Sequence, residues 1–325
     1  MTKPSLNFLR GFLCLIFLIV GVNYFRNHHE DFQFLLETNW AILFPVFLIA
    51  FITFFISAFR FRLVLKEAGH HLSISQAFRH VVISRSLNKF IPQSGWIFKA
   101  RSLQRENNMR LNEFVSTFGA FVWLEVFVAT FVASSFLLIL DPSVSVRGYR
   151  VIYFLIGLLG AQVIATAVGY FVSEKQTAKK QKTPQSFMQR LLNTGQKIIK
   201  DFIDLVTNPR LSILSSVIVL VGIAMSVARM YLLFRMIGLE PGFGLLTLFV
   251  AVNRLSNTVV LTPGNIGFVE LFFGALASSL GLGGPEGVTV ALVLRGSVLL
   301  TLIFSSLIVV SSSKVLEKRV LSSSK

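Results

Sequence analysis

The sequence predicts an all-α polytopic membrane protein, with about six full spans plus two re-entrant or broken helical hairpins in an inverted-topology repeat. Three observations carry this. Hydrophobic residues fill 54% of the 325 positions and charged ones only 14%, with a mean hydropathy of +0.71; soluble domains carry about 25% charged residues. Several runs are apolar over about 20 residues, the length that crosses a bilayer. Two further apolar stretches are interrupted by proline, glycine and polar residues.

Taken in order, residues 1–10 are short and basic and precede the apolar run 11–25. No small-x-small cleavage pattern follows, so a retained first helix is expected over about 6–25. The loop 26–39 carries Glu30, Asp31 and Glu37 against Arg26. Residues 40–59 form the second span, with Trp40 suited to the interface. Residues 60–110 hold ten basic residues against Glu67 and Glu106. Within them, 74–100 is semi-apolar and broken by Pro92, Gln93, Ser94 and Gly95. It fits either a re-entrant hairpin or a helix lying on the membrane surface. Residues 114–140, containing Glu125, and 149–172 are the third and fourth spans.

The segment 173–209 is basic and polar. In its second half, 187–206, Phe187, Leu191, Ile198 and Phe202 share one helical face, while Arg190, Lys197 and Lys200 fall largely elsewhere. A helix in the headgroup layer is expected there in preference to a plain linker. Residues 211–237 are the fifth span, 245–282 the second broken hairpin and 287–310 the last span, which contains Arg295. The whole is one integral membrane domain. Placing both termini in the cytoplasm puts the basic segments 60–110 and 173–210 inside and the acidic loop outside, as the positive-inside rule requires.

Composition also narrows function. The formal net charge is +16, but its basic residues lie between apolar spans, which suits anionic lipid surfaces and not nucleic acid. Cys14 is the single cysteine and the five histidines lack ligand spacing, so neither disulfide nor metal site is expected. P-loop, Gly-x-Ser-x-Gly and His-Glu-x-x-His patterns are absent, so no catalytic residue and no cofactor is nominated.

The most informative stretch is 252–271, which holds Asn253, Arg254, Ser256, Asn257, Pro263, Gly264, Gly267 and Glu270 among apolar residues. Pro263 and Gly264 break a helix. Broken backbone at membrane depth survives only inside protein or beside a water-filled cavity. An intramembrane arginine costs at least about 2.5–3.5 kcal/mol, so Arg254 needs a partner or a ligand. The first broken stretch echoes it: Arg85-x-x-Asn88, Pro92, Gly95 and then Glu125 match Arg254-x-x-Asn257, Pro263, Gly267 and then Arg295. Three spans separate the hairpins, so the two enter from opposite sides.

At these residues the chain resembles the transmembrane region of lysylphosphatidylglycerol synthases, a flippase-like family of integral membrane proteins. The likeness lies in Thr262-Pro263-Gly264-x-Ile266-Gly267-x-x-Glu270, in Arg295 on the next helix, and in Asn88, Pro92, Gly95 and Arg101. It departs from the family's usual pattern at Trp96 and at Val126-Phe127, where charged residues are common. No soluble aminoacyl-transferase region is recognised, so lysyl transfer is not expected. The resemblance implies movement of a polar-headed lipid between leaflets by a protein that is not an enzyme, in a prokaryotic inner membrane. The lipid would be a phospholipid or a polyprenyl-phosphate-linked glycolipid.

Guanidinium groups bind phosphate bidentately, so Arg254, Asn257 and Arg295 are expected on one side of a headgroup and Arg85, Asn88 and Lys99 on the other. Asn253, Arg101, Glu125 and Glu270 complete the candidate set, with Pro92, Gly95, Pro263, Gly264 and Gly267 shaping the backbone. An internal Arg254–Glu270 pair is the competing structural role. At the outer end of the fifth span, snorkelling is expected to account fully for Arg235 and in part for Arg229. The alternative function is a membrane subunit or scaffold for a lipid-modifying synthase or glycosyltransferase, and the reading also allows a homo-oligomer.

Overall fold

The computed structural model describes residues 36–91, 93–146, 149–177, 209–258 and 265–323, with isolated positions between 195 and 203. The expected first span at 6–25 and most of the expected interfacial helix at 187–206 lie outside the described residues, as do Pro92, Pro263 and Gly264. Helices α1 (Leu43–Glu67), α2 (Ile74–Phe90), α3 (Ser94–Asn107) and α4 (Leu111–Leu140) come first. A two-stranded ribbon, β1 (Ser145–Val146) with β2 (Tyr149–Arg150), leads into α5 (Val151–Thr177). Then follow α6 (Pro209–Met236), α7 (Phe243–Thr258), α8 (Phe268–Ser279) and α9 (Gly284–Ser323).

Among the described residues, five helices are long and apolar enough to cross a membrane: α1, α4, α5, α6 and α9. This is an integral membrane protein. On α1, Phe44, Leu48, Ile52, Phe55 and Phe59 are exposed at helical spacing. Such a stripe on a soluble protein would drive aggregation; here it is a face for lipid acyl chains.

The order long, short, short, long occurs twice, in α1–α4 and again in α6–α9. Because α4 and α5 intervene, alternating spans place the second unit upside down relative to the first, as expected of an inverted repeat. The packing repeats as well. In each unit the opening long helix packs on the first half-helix, α1 on α2 and α6 on α7. Each closing long helix packs on the other unit's first half-helix, α4 on α7 and α9 on α2. The units are therefore interlocked, with α1 against α6, while α5 packs mainly on α4.

Local chemistry sets these boundaries. Gly69 and Gly238, both at positive φ, end α1 and α6 with the left-handed turn that glycine adopts without strain. Ser73 and Gln76 form a capping box that starts α2. One apolar core, around Phe54, Phe61, Leu65, Phe78, Phe114 and Phe118, fills the first unit. A second, around Met230, Phe234, Phe249, Phe273 and Val290, fills the other.

Two contacts show where the first hairpin lies against α1. The Arg85 guanidinium lies over the Phe54 ring at 4.2 Å and donates to Ser57, both near the middle of α1. The α2–α3 hairpin thus runs beside the middle of a span and does not lie across its end. Several helices extend past the sequence boundaries: α1 continues from 59 to 67, and α3 from 100 to 107.

In the α8–α9 pair small residues face each other and the helices approach closely. A Cβ on Gly287 would stand 2.5 Å from both Ala277 Cβ and Phe273 O, and one on Gly274 2.7 Å from Val288 Cγ2. Backbones approach where side chains vanish. Gly287→Leu is expected to destabilise the purified protein by about 1–3 kcal/mol through overpacking, read as a lower thermal midpoint. An unchanged midpoint would refute this close packing.

Candidate functional site

Glu125 stands midway along α4, and its carboxylate joins the two repeat units. One oxygen takes a hydrogen bond from Arg60 on α1 at 2.6 Å, and the other takes one from Arg254 on α7. Arg254 also reaches Ser226 Oγ on α6 at 3.4 Å, and Arg85 on α2 donates to Ser57 Oγ on α1 at 2.7 Å. Each serine hydroxyl in turn donates to a carbonyl four residues back, of Thr53 and Gly222 respectively. The serines are thereby oriented as acceptors for the arginines.

The result is a nearly palindromic chain. It runs from Arg85 through Ser57, then one turn along α1 to Arg60, Glu125 and Arg254, then to Ser226 and one turn along α6 to Arg229. Both arginine–serine bonds span 28 residues. Ser57, Arg60, Gly69, Arg85, Asn88 and Gly95 recur at one constant offset as Ser226, Arg229, Gly238, Arg254, Asn257 and Gly264. This is the sequence signal that finds Arg60 and Arg229, two residues absent from the expected site.

Two corrections follow. Arg254 pairs with Glu125 and not with Glu270. The snorkelling expected of Arg229 gives way to an inward position: it lies close enough to Arg85 and Arg254 to repel both, and its Nε is buried without a hydrogen-bond partner. Sequence distance to the end of a span suggested snorkelling; the rotation of α6, shared with Ser226 one turn away, decides otherwise.

Lys99 on α3 sits with its ammonium 4.8 Å from the Phe61 ring centroid and within electrostatic range of Arg85 and Arg60. Arg101, on the same helix, is exposed and apart from this group. Asn88 turns inward to its own hairpin: its side-chain oxygen accepts from the Gly95 amide at 2.7 Å, capping the start of α3. This bond positions the hairpin tip, a structural task in addition to the headgroup contact expected of Asn88. Asn253 lies one residue before Arg254 on α7, half-buried, and Asn257 one turn beyond it.

A second ion pair supports the second hairpin. Glu270 on α8 meets Arg295 on α9 at 2.7 Å, as a close ionic contact and not as a well-aligned hydrogen bond. The other Glu270 oxygen caps Gly267 N at 2.9 Å. Arg295 also donates to the Asn265 carbonyl at 2.9 Å, and Asn265, at positive φ, donates to Ser256 O at 2.7 Å. Asn265 was not anticipated, since asparagine in a turn has no pattern of its own. Lys89, near the tip of the first hairpin, is within electrostatic range of Arg295, Arg85 and Glu270. Every described helix except α5 therefore contributes a charged side chain to this interior.

The charges do not balance. Among the described residues, Arg60 and Arg254 share the Glu125 carboxylate, Arg85, Arg229 and Lys99 lie within electrostatic range of members of that group, and Glu270 and Arg295 neutralise each other beside Lys89. The family model for the lysylphosphatidylglycerol synthase TM region matches residues 8–306. The chain belongs to that family. Searches of curated proteins and of solved structures returned no match. Membership ties the protein to a membrane-lipid role, and the match takes in both hairpins and every charged residue named above.

Proposed function

We propose that the protein translocates a phosphate-bearing lipid between leaflets, and that it acts as a carrier and not as an enzyme. The observation that supports this reading is the surplus of positive charge at mid-span, built from both halves of an inverted repeat. Buried charge without a counter-charge is costly, so the surplus is understandable if an anionic headgroup occupies the interior during crossing. Arg60, Arg85, Arg229 and Arg254 would contact the headgroup, Asn88, Gly95, Gly267 and Glu270 would hold the hairpins, and acyl chains would remain in the bilayer. With the basic segments 60–110 and 173–210 on the cytoplasmic side, as the positive-inside rule favours, both termini would lie in the cytoplasm, and the membrane would be a prokaryotic inner membrane.

The test is native mass spectrometry of the purified protein beside Arg254→Lys, followed by a fluorescent-lipid translocation assay in vesicles. One anionic lipid class should remain on the wild type and fall at least tenfold on the variant, with vesicle translocation slowed to the same degree. If both retain one unselective lipid mixture and neither moves lipid, the translocator reading fails. A membrane scaffold for a synthase or glycosyltransferase then takes its place.

A further inference from the structure

We infer that the interior site is built for a terminal phosphate, a phosphomonoester or diphosphate, and discriminates against a phosphodiester. This rests on the translocator reading for its lipid but makes a separate chemical claim.

The argument turns on which cations are already satisfied. Arg60 and Arg254 share Glu125, and Arg295 has Glu270. Among the described residues Arg85 contacts neutral partners, the Ser57 hydroxyl and the Phe54 ring, with no carboxylate within ion-pair distance. Arg229 has a buried Nε with no hydrogen-bond partner. Lys99 rests on the Phe61 ring. These three come from α2, α6 and α3, and Arg85 lies within electrostatic range of each of the other two. Glu125 relieves part of the repulsion on Arg85 from a distance, but it is already paired with Arg60 and Arg254.

The number of donors matters as much as the charge. A phosphodiester offers one negative charge and two free oxygens. A terminal phosphate carries about −1.5 to −2 charge at pH 7 and three strong acceptor oxygens. Arg85 and Arg229 each present a planar fork suited to two of those oxygens, and the Lys99 ammonium can meet the third. Arg85 and Arg229 also belong to different repeat units, so a three-oxygen anion between them would bridge the units. A diester, esterified on both sides, offers one acceptor oxygen fewer and less charge, so part of this donor set would go unanswered, and a partly buried donor left unpaired costs its desolvation.

The experiment is a competition on the detergent-purified full chain. Dioleoyl phosphatidic acid is the monoester probe, dioleoyl phosphatidylglycerol the diester and inorganic phosphate the free anion. Phosphatidic acid should bind at least tenfold more tightly than phosphatidylglycerol. Arg85→Gln and Arg229→Gln should each reduce that preference several-fold, while Arg150→Gln, on the exposed β ribbon, should leave it unchanged. The wild-type comparison needs no variant to fold. Equal binding of the two lipids overturns the inference and leaves translocation standing. Phosphatidic acid preference without vesicle translocation supports the site and refutes the translocator. Inorganic phosphate binding as tightly as phosphatidic acid overturns the lipid as ligand and assigns the site to a free phosphate.

Discussion

Glu125→Gln is expected to lower the stability of the purified protein by about 3–5 kcal/mol, the cost of removing one partner from a buried ion pair. The reason is the unequal count of charges around it. Arg60 and Arg254 are 30% and 15% exposed, and Glu125, itself 24% exposed, is the carboxylate that both of them contact. Neutralising it leaves two guanidinium groups near Arg85, Arg229 and Lys99 with no carboxylate paired to them among the described residues. The same change unties α4 from α1 and α7, and therefore the first repeat unit from the second. Thermal unfolding measures the loss, and the double variant Arg60→Gln/Glu125→Gln should recover part of it. Added phosphatidic acid should raise the midpoint of Glu125→Gln by more than it raises that of the wild type, because it supplies the missing charge. A loss below about 1 kcal/mol would mean that the pairs are solvated like surface ion pairs, and the argument from a buried cation surplus would fall with it.

Much of this architecture is legible before any coordinates are known, and the reason is physical. A bilayer fixes the length of a span, so apolar runs locate α4, α5 and α6 to within about five residues, while α1 and α9 run on past the expected ends at 59 and 310 to Glu67 and Ser323. Proline and glycine among polar residues mark both hairpins, and Arg85-x-x-Asn88 with Arg254-x-x-Asn257 marks their kinship. What escapes is pairing. The two bonds to Glu125 cross 65 and 129 residues, and no local pattern selects Arg60 and Arg254 over Glu270 and Arg295 as partners. Arg60 was assigned to a cytoplasmic segment because the uncharged run ends at Phe59, yet the helix continues through Glu67. Charge ends an apolar run; it does not end a helix. Asn88 escapes in another way: its side-chain oxygen caps α3, a structural task that its spacing from Arg85 does not reveal.

Gly95→Ala is the second large effect expected, a destabilisation of about 3 kcal/mol, at the upper end of the range for overpacking. A Cβ at Gly95 would fall 2.1 Å from the Ser84 carbonyl oxygen and 2.8 Å from Asn88 Oδ1. Ser84 O is backbone inside α2, so no side-chain rotation relieves the clash, and α3 must move as a body. That movement breaks the Asn88–Gly95 hydrogen bond, which otherwise satisfies an amide at the start of α3. It also shifts Lys99, one turn further along α3, away from Arg85. Stability and phosphate selectivity should therefore fall together in this variant. Gly157→Ala and Gly160→Ala on α5 are the proper controls, since a Cβ at either position meets nothing within 4 Å. Alanine is the better helix former by roughly 0.5–1 kcal/mol, so those two changes should be neutral or slightly stabilising. If Gly95→Ala behaves like them in thermal unfolding, α2 and α3 are not pressed together at Gly95. Lys99 would then be held beside Arg85 by the Phe61 ring, and not by the hairpin.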